Sequence, residues 1–128
     1  MPQKFLLDTH LLLWWLANDA ALPRAARLLI ADQANTIVIS AVSLWEIWLK
    51  KSLGKLEIPA DFERRLDSEP LDHLPLRIAH TRLIASLPWH HRDPFDRMLL
   101  AQAHAEGLVL LTCDEVIQRY GDQVQLVR

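Results

Sequence analysis

The sequence holds one cysteine and three glycines in 128 residues, and each scarcity removes a class of function. A lone Cys113 builds neither an intramolecular disulfide framework nor a cysteine metal centre, which fits a reducing compartment and makes the cytoplasm the expected location. With so few glycines there is no glycine-rich phosphate loop, and nucleotide-triphosphate chemistry falls behind. Charge of one sign is missing as well: 14 Lys and Arg stand against 16 Asp and Glu, a formal balance of −2. That balance announces neither a general polyanion binder nor an acidic tail, so any nucleic-acid contact has to be local. The longest apolar run, residues 11–17, falls short of the roughly 20 residues a bilayer crossing needs. The N-terminal apolar run meets Asp8 before a secretory signal core could develop. No internal repeat, low-complexity tract or linker interrupts the chain. With 51% hydrophobic residues it has material for one core, and the expectation is a single domain over residues 1–128.

What is present is an alternation. Short apolar runs rich in branched residues occur at 4–8, 36–40, 108–112 and 124–127, with a weaker edge candidate at 71–76 that contains Pro75. Between them lie stretches of helical period at 9–18, 24–34, 43–53, 59–66, 77–87, 94–106 and 115–120. Pro23, Pro59 and Pro94 mark helix starts, and Gly54 and Gly107 mark ends. This pattern predicts an α/β fold, a three-layer α/β/α sandwich around a central, mainly parallel twisted sheet of four to five strands. Ligands are then expected beyond the carboxyl ends of the strands.

Four acids fall at that edge. Asp8 and Asp114 each follow an apolar strand and precede a helix, Glu46 lies in the first turns after the strand at 36–40, and Asp96 lies in the first turn after Pro94. Each has a structural account. Asp8 and Asp114 suit helix caps, Ser43-x-x-Glu46 has the spacing of a capping box, and Asp96 is favoured by the helix dipole. Asp93, just before Pro94, is adequately explained as a cap. Four unrelated caps at junctions of one sheet are nevertheless a poor coincidence. Carboxylates gathered in this way suit Mg²⁺ or Mn²⁺, hard ions that take oxygen ligands and activate water for phosphodiester hydrolysis. Ser40 and Ser43 lack an evident His-Asp partnership for acyl transfer. A haloacid-dehalogenase-like phosphatase would need an Asp where His10 stands.

Leu6-Leu7-Asp8-Thr9-His10, Ser43-Leu44-Trp45-Glu46-Ile47, Arg92-Asp93-Pro94-Phe95-Asp96-Arg97 and Leu111-Thr112-Cys113-Asp114 resemble successive blocks of the PIN domain. Among its branches they are most similar to the VapC-type toxins of bacterial toxin–antitoxin pairs. The resemblance implies Mg²⁺ or Mn²⁺ dependence, cleavage of structured RNA, a homodimer and a small antitoxin partner. It places Asp8, Glu46, Asp96 and Asp114 as the acids of the site, Thr112 as a supporting hydroxyl and Asp93 as a cap or outer residue. An inert PIN-like module that binds an antitoxin or RNA without turnover is the alternative, disfavoured by the complete acid set.

Other residues carry weaker signals. The six histidines lack zinc-ligand spacing, and His91 with Arg92 reads as a solvated loop that could contact phosphate. Trp14, Trp15, Trp45 and Trp48 sit at helical spacing, as core or dimer contacts; Trp89 alone sits in a loop suited to RNA or partner contact. Lys50, Lys51 and Lys55 form the densest basic cluster and would offset phosphate repulsion if they flank the cleft.

Overall fold

The computed structural model describes residues 2–128. Lys4–Leu7 (β1), Thr36–Ser40 (β2), Asp72–Leu74 (β3), Val109–Thr112 (β4) and Val124–Leu126 (β5) form one sheet in the order β3-β2-β1-β4-β5. Every pairing is parallel, with Phe5 opposite Ile37 on one side and Val109 on the other. The helices are Thr9–Leu16 (α1), Arg24–Ala31 (α2), Ala41–Ser52 (α3), Phe62–Ser68 (α4), Ile78–Leu83 (α5), Pro94–Glu106 (α6) and Glu115–Gln118 (α7). A 3₁₀ turn, Ile84–Ser86, continues from α5.

The period of two along β1 builds the layers. Phe5 and Leu7 pack into a cluster with Leu11, Leu12 and Leu16 of α1, Ile30 of α2 and Phe62 of α4. Leu6, between them, packs into the opposite cluster with Leu99, Leu100 and Ala103 of α6 and Ile117 of α7. Strands buried on both faces need continuous apolar runs, which is why β1, β2 and β4 read as such in the sequence. The sheet is covered on both faces, as the alternation predicts.

Chain order and sheet order together locate the site. From β1 the chain passes to β2 and β3 on one side, then returns to place β4 and β5 on the other. The direction reverses beside β1, and a crevice at such a switch point is where open α/β sheets take ligands. Asp8 follows β1 there, Asp114 follows β4, and α3 leaves from the end of β2.

Four sequence expectations need correction. The helix carrying Glu46 begins at Ala41, not Ser43, because Ser40 at the end of β2 caps it directly: its Oγ accepts from Val42 N at 2.9 Å. Ser43 is therefore buried inside the helix, accepting from Thr9 Oγ1 at 3.1 Å, and the Ser43–Glu46 capping box does not form. Pro59 opens a turn, its carbonyl accepting from Phe62 N, and α4 starts only at Phe62. Pro75 confines the edge strand to three residues, ending at Leu74. The stretch 77–87 is not one helix: α5 tightens into the 3₁₀ turn.

Candidate metal centre

Asp8 is fixed from two sides. Its backbone N–H donates to Leu111 O at 3.1 Å, continuing the pairing with β4 one residue past the strand. One carboxylate oxygen, Oδ1, accepts from Leu11 N at 2.9 Å and caps α1; the other, Oδ2, accepts from Thr112 Oγ1. The same hydroxyl oxygen accepts from Asp114 N at 3.0 Å, so Thr112 ties the ends of β1 and β4 together. Asp114 in turn uses Oδ1 to cap α7, accepting from Val116 N at 2.8 Å. Cap and site roles are thus compatible, since capping occupies one oxygen of Asp114 and leaves Oδ2 facing the cleft.

Glu46 is 4% exposed, in the second turn of α3. Its Oε2 accepts from Lys50 Nζ at 2.5 Å, one helical turn on. Its Oε1 is buried without a hydrogen-bond partner among the described residues. A buried carboxylate oxygen left unsatisfied costs folding energy and calls for a compensating role.

Asp93 caps α6 as expected, Oδ1 accepting from both Phe95 N and Asp96 N. That bond orients the first turn and aims Asp96 back at the cleft. There Asp96 Oδ2 lies 3.0 Å from His91 Nε2, and Asp114 Oδ2 lies 3.4 Å from the same nitrogen. Among the described residues, His91, Asp96 and Asp114 form a group whose ligand atoms lie within 4.8 Å of one another. Asp8 and Glu46 border that group without belonging to it. The sequence marked His91, two residues before the α6 cap, only as a solvated loop residue that could contact phosphate, and its place beside Asp96 and Asp114 was missed.

The crowding shows in proton affinities. Burial, then the charges of Asp93, Asp8, Glu46 and Asp114, push the Asp96 carboxyl up to about 8. Burial also raises Asp8, against the stabilising hydrogen bonds from Thr112 and Leu11. Lys50 is raised chiefly by its hydrogen bond to Glu46, with Asp93 and Asp96 adding attraction. The carboxylates of this edge act on one another, and shifts of this kind gather at functional sites.

The PIN-domain family model matches residues 5–123, a span that takes in all four acids. The chain belongs to the PIN-domain family. Solved structures similar to this PIN domain share its fold at low identity. VapBC2 from Rickettsia felis, bound to a DNA fragment from its promoter, matches with a TM-score of 0.72 at 18% identity, over 98% of this chain and 100% of that one. DNA-bound VapBC from Salmonella typhimurium gives 0.67 at 22%, over 96% and 97%. A toxin–antitoxin complex from Klebsiella pneumoniae gives 0.66 at 16%, over 94% of each chain. A comparison with curated proteins finds no match.

The residues of this PIN domain fit a hard divalent cation. The donors are carboxylate oxygens, and the unpartnered buried Oε1 of Glu46 is the kind of atom a metal or its bound water satisfies. Beside Glu46 opens a groove of about 320 Å³ lined by Thr9, His10, Trp14, Lys50 and Lys55 among others. Two of the three clustered lysines therefore do flank a cleft.

Arg97 holds the loop over this centre. The residue is 3% exposed and pairs with no carboxylate among the described residues. Instead it donates to the carbonyls of Pro88, His91, Ile84 and Leu87 and to Tyr120 Oη, and lies 3.8 Å from the Trp89 ring centre. Tyr120 Oη also accepts from His91 N and donates to Pro88 O. Replacing Arg97 by Met would take the donor from the His91 and Leu87 carbonyls, at about 1–3 kcal/mol each, while Pro88 O keeps Tyr120 Oη and Ile84 O keeps Leu87 N. Urea denaturation of Arg97→Met is expected to show a loss of at least about 2 kcal/mol, where an ordinary surface change stays within about 0.5 kcal/mol.

Proposed function

We propose that this chain, as one domain over residues 1–128, is a Mg²⁺- or Mn²⁺-dependent endoribonuclease, the VapC-type toxin of a bacterial toxin–antitoxin pair. What supports the reading is the close approach of Asp96 and Asp114, the charges of Asp8 and Glu46 acting on Asp96, and a buried Glu46 oxygen unpartnered among the described residues. These four acids would hold the cation, Thr112 would orient Asp8 and Asp114, and Asp93 would stay a cap. A bound ion supplies an acidified water as nucleophile and charge opposite the developing oxyanion. Asp96, whose carboxyl is pushed up to about 8, would release its proton to hold a cation. Lys50 and Lys55 attract the phosphates flanking the scissile bond, which the acids alone would repel.

Support for the antitoxin partner comes from the fold shared with the chains of three solved toxin–antitoxin assemblies. Support for a homodimer comes from Trp45, Leu49 and Leu53, an apolar stripe on α3 and its C-cap that is 57%, 39% and 58% exposed. The free Cys113 favours the cytoplasm. Among the described residues no helix is long and apolar enough to cross a membrane.

The purified protein is expected to cleave a structured RNA in Mg²⁺ or Mn²⁺, to stop on adding EDTA, and to leave duplex DNA largely intact. Cleavage that persists in EDTA would remove the metal mechanism. Equal cleavage of duplex DNA would remove the RNA preference.

A further inference from the structure

How the site takes up its cation follows from His91, an inference that rests on the metal reading above. The role of Nε2 is fixed from the far side of the ring. Nδ1 lies 3.0 Å from Asp93 N, and a backbone N–H can only donate, so Nδ1 is the accepting nitrogen. Nε2 therefore carries the hydrogen. That nitrogen lies 3.0 Å from Asp96 Oδ2 and 3.4 Å from Asp114 Oδ2.

A nitrogen that carries hydrogen has no lone pair to offer a metal. Making it a ligand would shift the hydrogen to Nδ1, straight against the Asp93 N–H. A Mg²⁺ or Mn²⁺ ion shared by Asp96 and Asp114 would sit about 2.1 Å from each oxygen, in the space the imidazole edge now fills between them. Cation and imidazole compete for the same two oxygens.

We propose that His91 is a gate on the metal site: its imidazole bridges Asp96 and Asp114 where a cation would bridge them, and the cation binds only as the ring turns out. The surrounding structure suits a moving ring on a still backbone. The His91 N–H donates to Tyr120 Oη at 3.0 Å and its carbonyl accepts from Arg97 Nη1 at 3.4 Å, whereas the side chain is 20% exposed and reaches solvent. His91 thereby sets how much free cation the site needs before it fills.

The test is a Mn²⁺ titration of the full chain, followed by the EPR signal of the free ion, on wild type, His91→Asn and His91→Gln. Asn places an oxygen where Nδ1 accepts from Asp93 and leaves nothing at the Nε2 position. Gln reaches the Nε2 position with an amide N–H. His91→Asn is expected to bind Mn²⁺ about tenfold more tightly, equal to about 1.4 kcal/mol, and His91→Gln to stay near wild type. Weaker binding by His91→Asn would overturn the gate, as would unchanged binding in both variants. Absence of Mn²⁺ binding in all three proteins would overturn the metal reading itself, and the gate with it. Metal affinity separates the gate from a merely structural role, since a loosened loop weakens binding in both variants.

Discussion

Glu46→Gln is expected to reduce metal-dependent RNA cleavage by at least about a hundredfold while leaving the fold intact. Gln keeps the volume of the buried side chain and retains an oxygen for Lys50, so α3 is undisturbed. What it removes is a full charge beside Asp96 and the carboxylate character of an oxygen that has no protein partner. A hard cation binds a neutral amide far less well than a carboxylate. Thr112→Val serves as the contrast. It deletes the hydroxyl that joins Asp8 to the Asp114 backbone, touching no substrate, and partners of this outer kind are worth about 10–100-fold in metal affinity or activity. It should also cost stability, because Asp8 Oδ2 and Asp114 N both lose their partner. Cleavage assays and urea melts on the two variants separate the roles: a large activity loss without destabilisation for Glu46, a smaller one with it for Thr112. A Glu46→Gln protein that cleaves like wild type would take Glu46 out of the site.

The sequence made the layered α/β architecture legible because strands buried on both faces must be apolar throughout, and β1, β2 and β4 are. Helix ends set by proline and glycine were equally readable: α6 starts at Pro94 and ends at Gly107, whose φ of 65° is the left-handed conformation glycine adopts without strain. The errors arose where tertiary contacts overrode local spacing. Ser43 has capping-box spacing to Glu46, but Ser40 is closer to the strand end and Thr9 of a distant element takes Ser43's oxygen. Of the four acids read as site candidates, Asp96 and Asp114 stand in one tight group, and the charges of Asp8 and Glu46 reach Asp96. His91 escaped because nothing local marks it. Its position depends on Arg97, Tyr120 and Asp93, which meet it only in the folded chain. Arg97 itself sits in the block that resembles the family most specifically, but its part in binding carbonyls shows only once residues 84–91 wrap round it.

Crowded carboxylates should also make the metal-free protein most stable in acid. Folded Asp96 releases its proton at about 8, whereas an unfolded aspartate does so near pH 3.9. Between those values the folded chain holds a proton that the unfolded chain has lost, so unfolding becomes easier as pH rises. Asp96's contribution is therefore complete at and below about pH 4, declines by up to about 1.4 kcal/mol per pH unit, and levels off above about pH 8. Asp8, raised by burial, acts in the same direction. A divalent cation should offset the loss, since it binds the assembled site and not the unfolded chain. Asp96→Asn replaces the ionisable group with a neutral one of the same shape and keeps an oxygen beside His91. In EDTA this variant is expected to melt several degrees higher than wild type at pH 8, to show a flatter pH dependence between pH 4 and 8, and to gain less from millimolar Mg²⁺ or Mn²⁺. Thermal melts of both proteins across that range, with EDTA and with metal, read all three effects. If Asp96 served only the helix dipole at the start of α6, losing its charge would lower the melting temperature in EDTA and leave the metal increment unchanged; the opposite sign of both changes is what a ligand carboxylate requires.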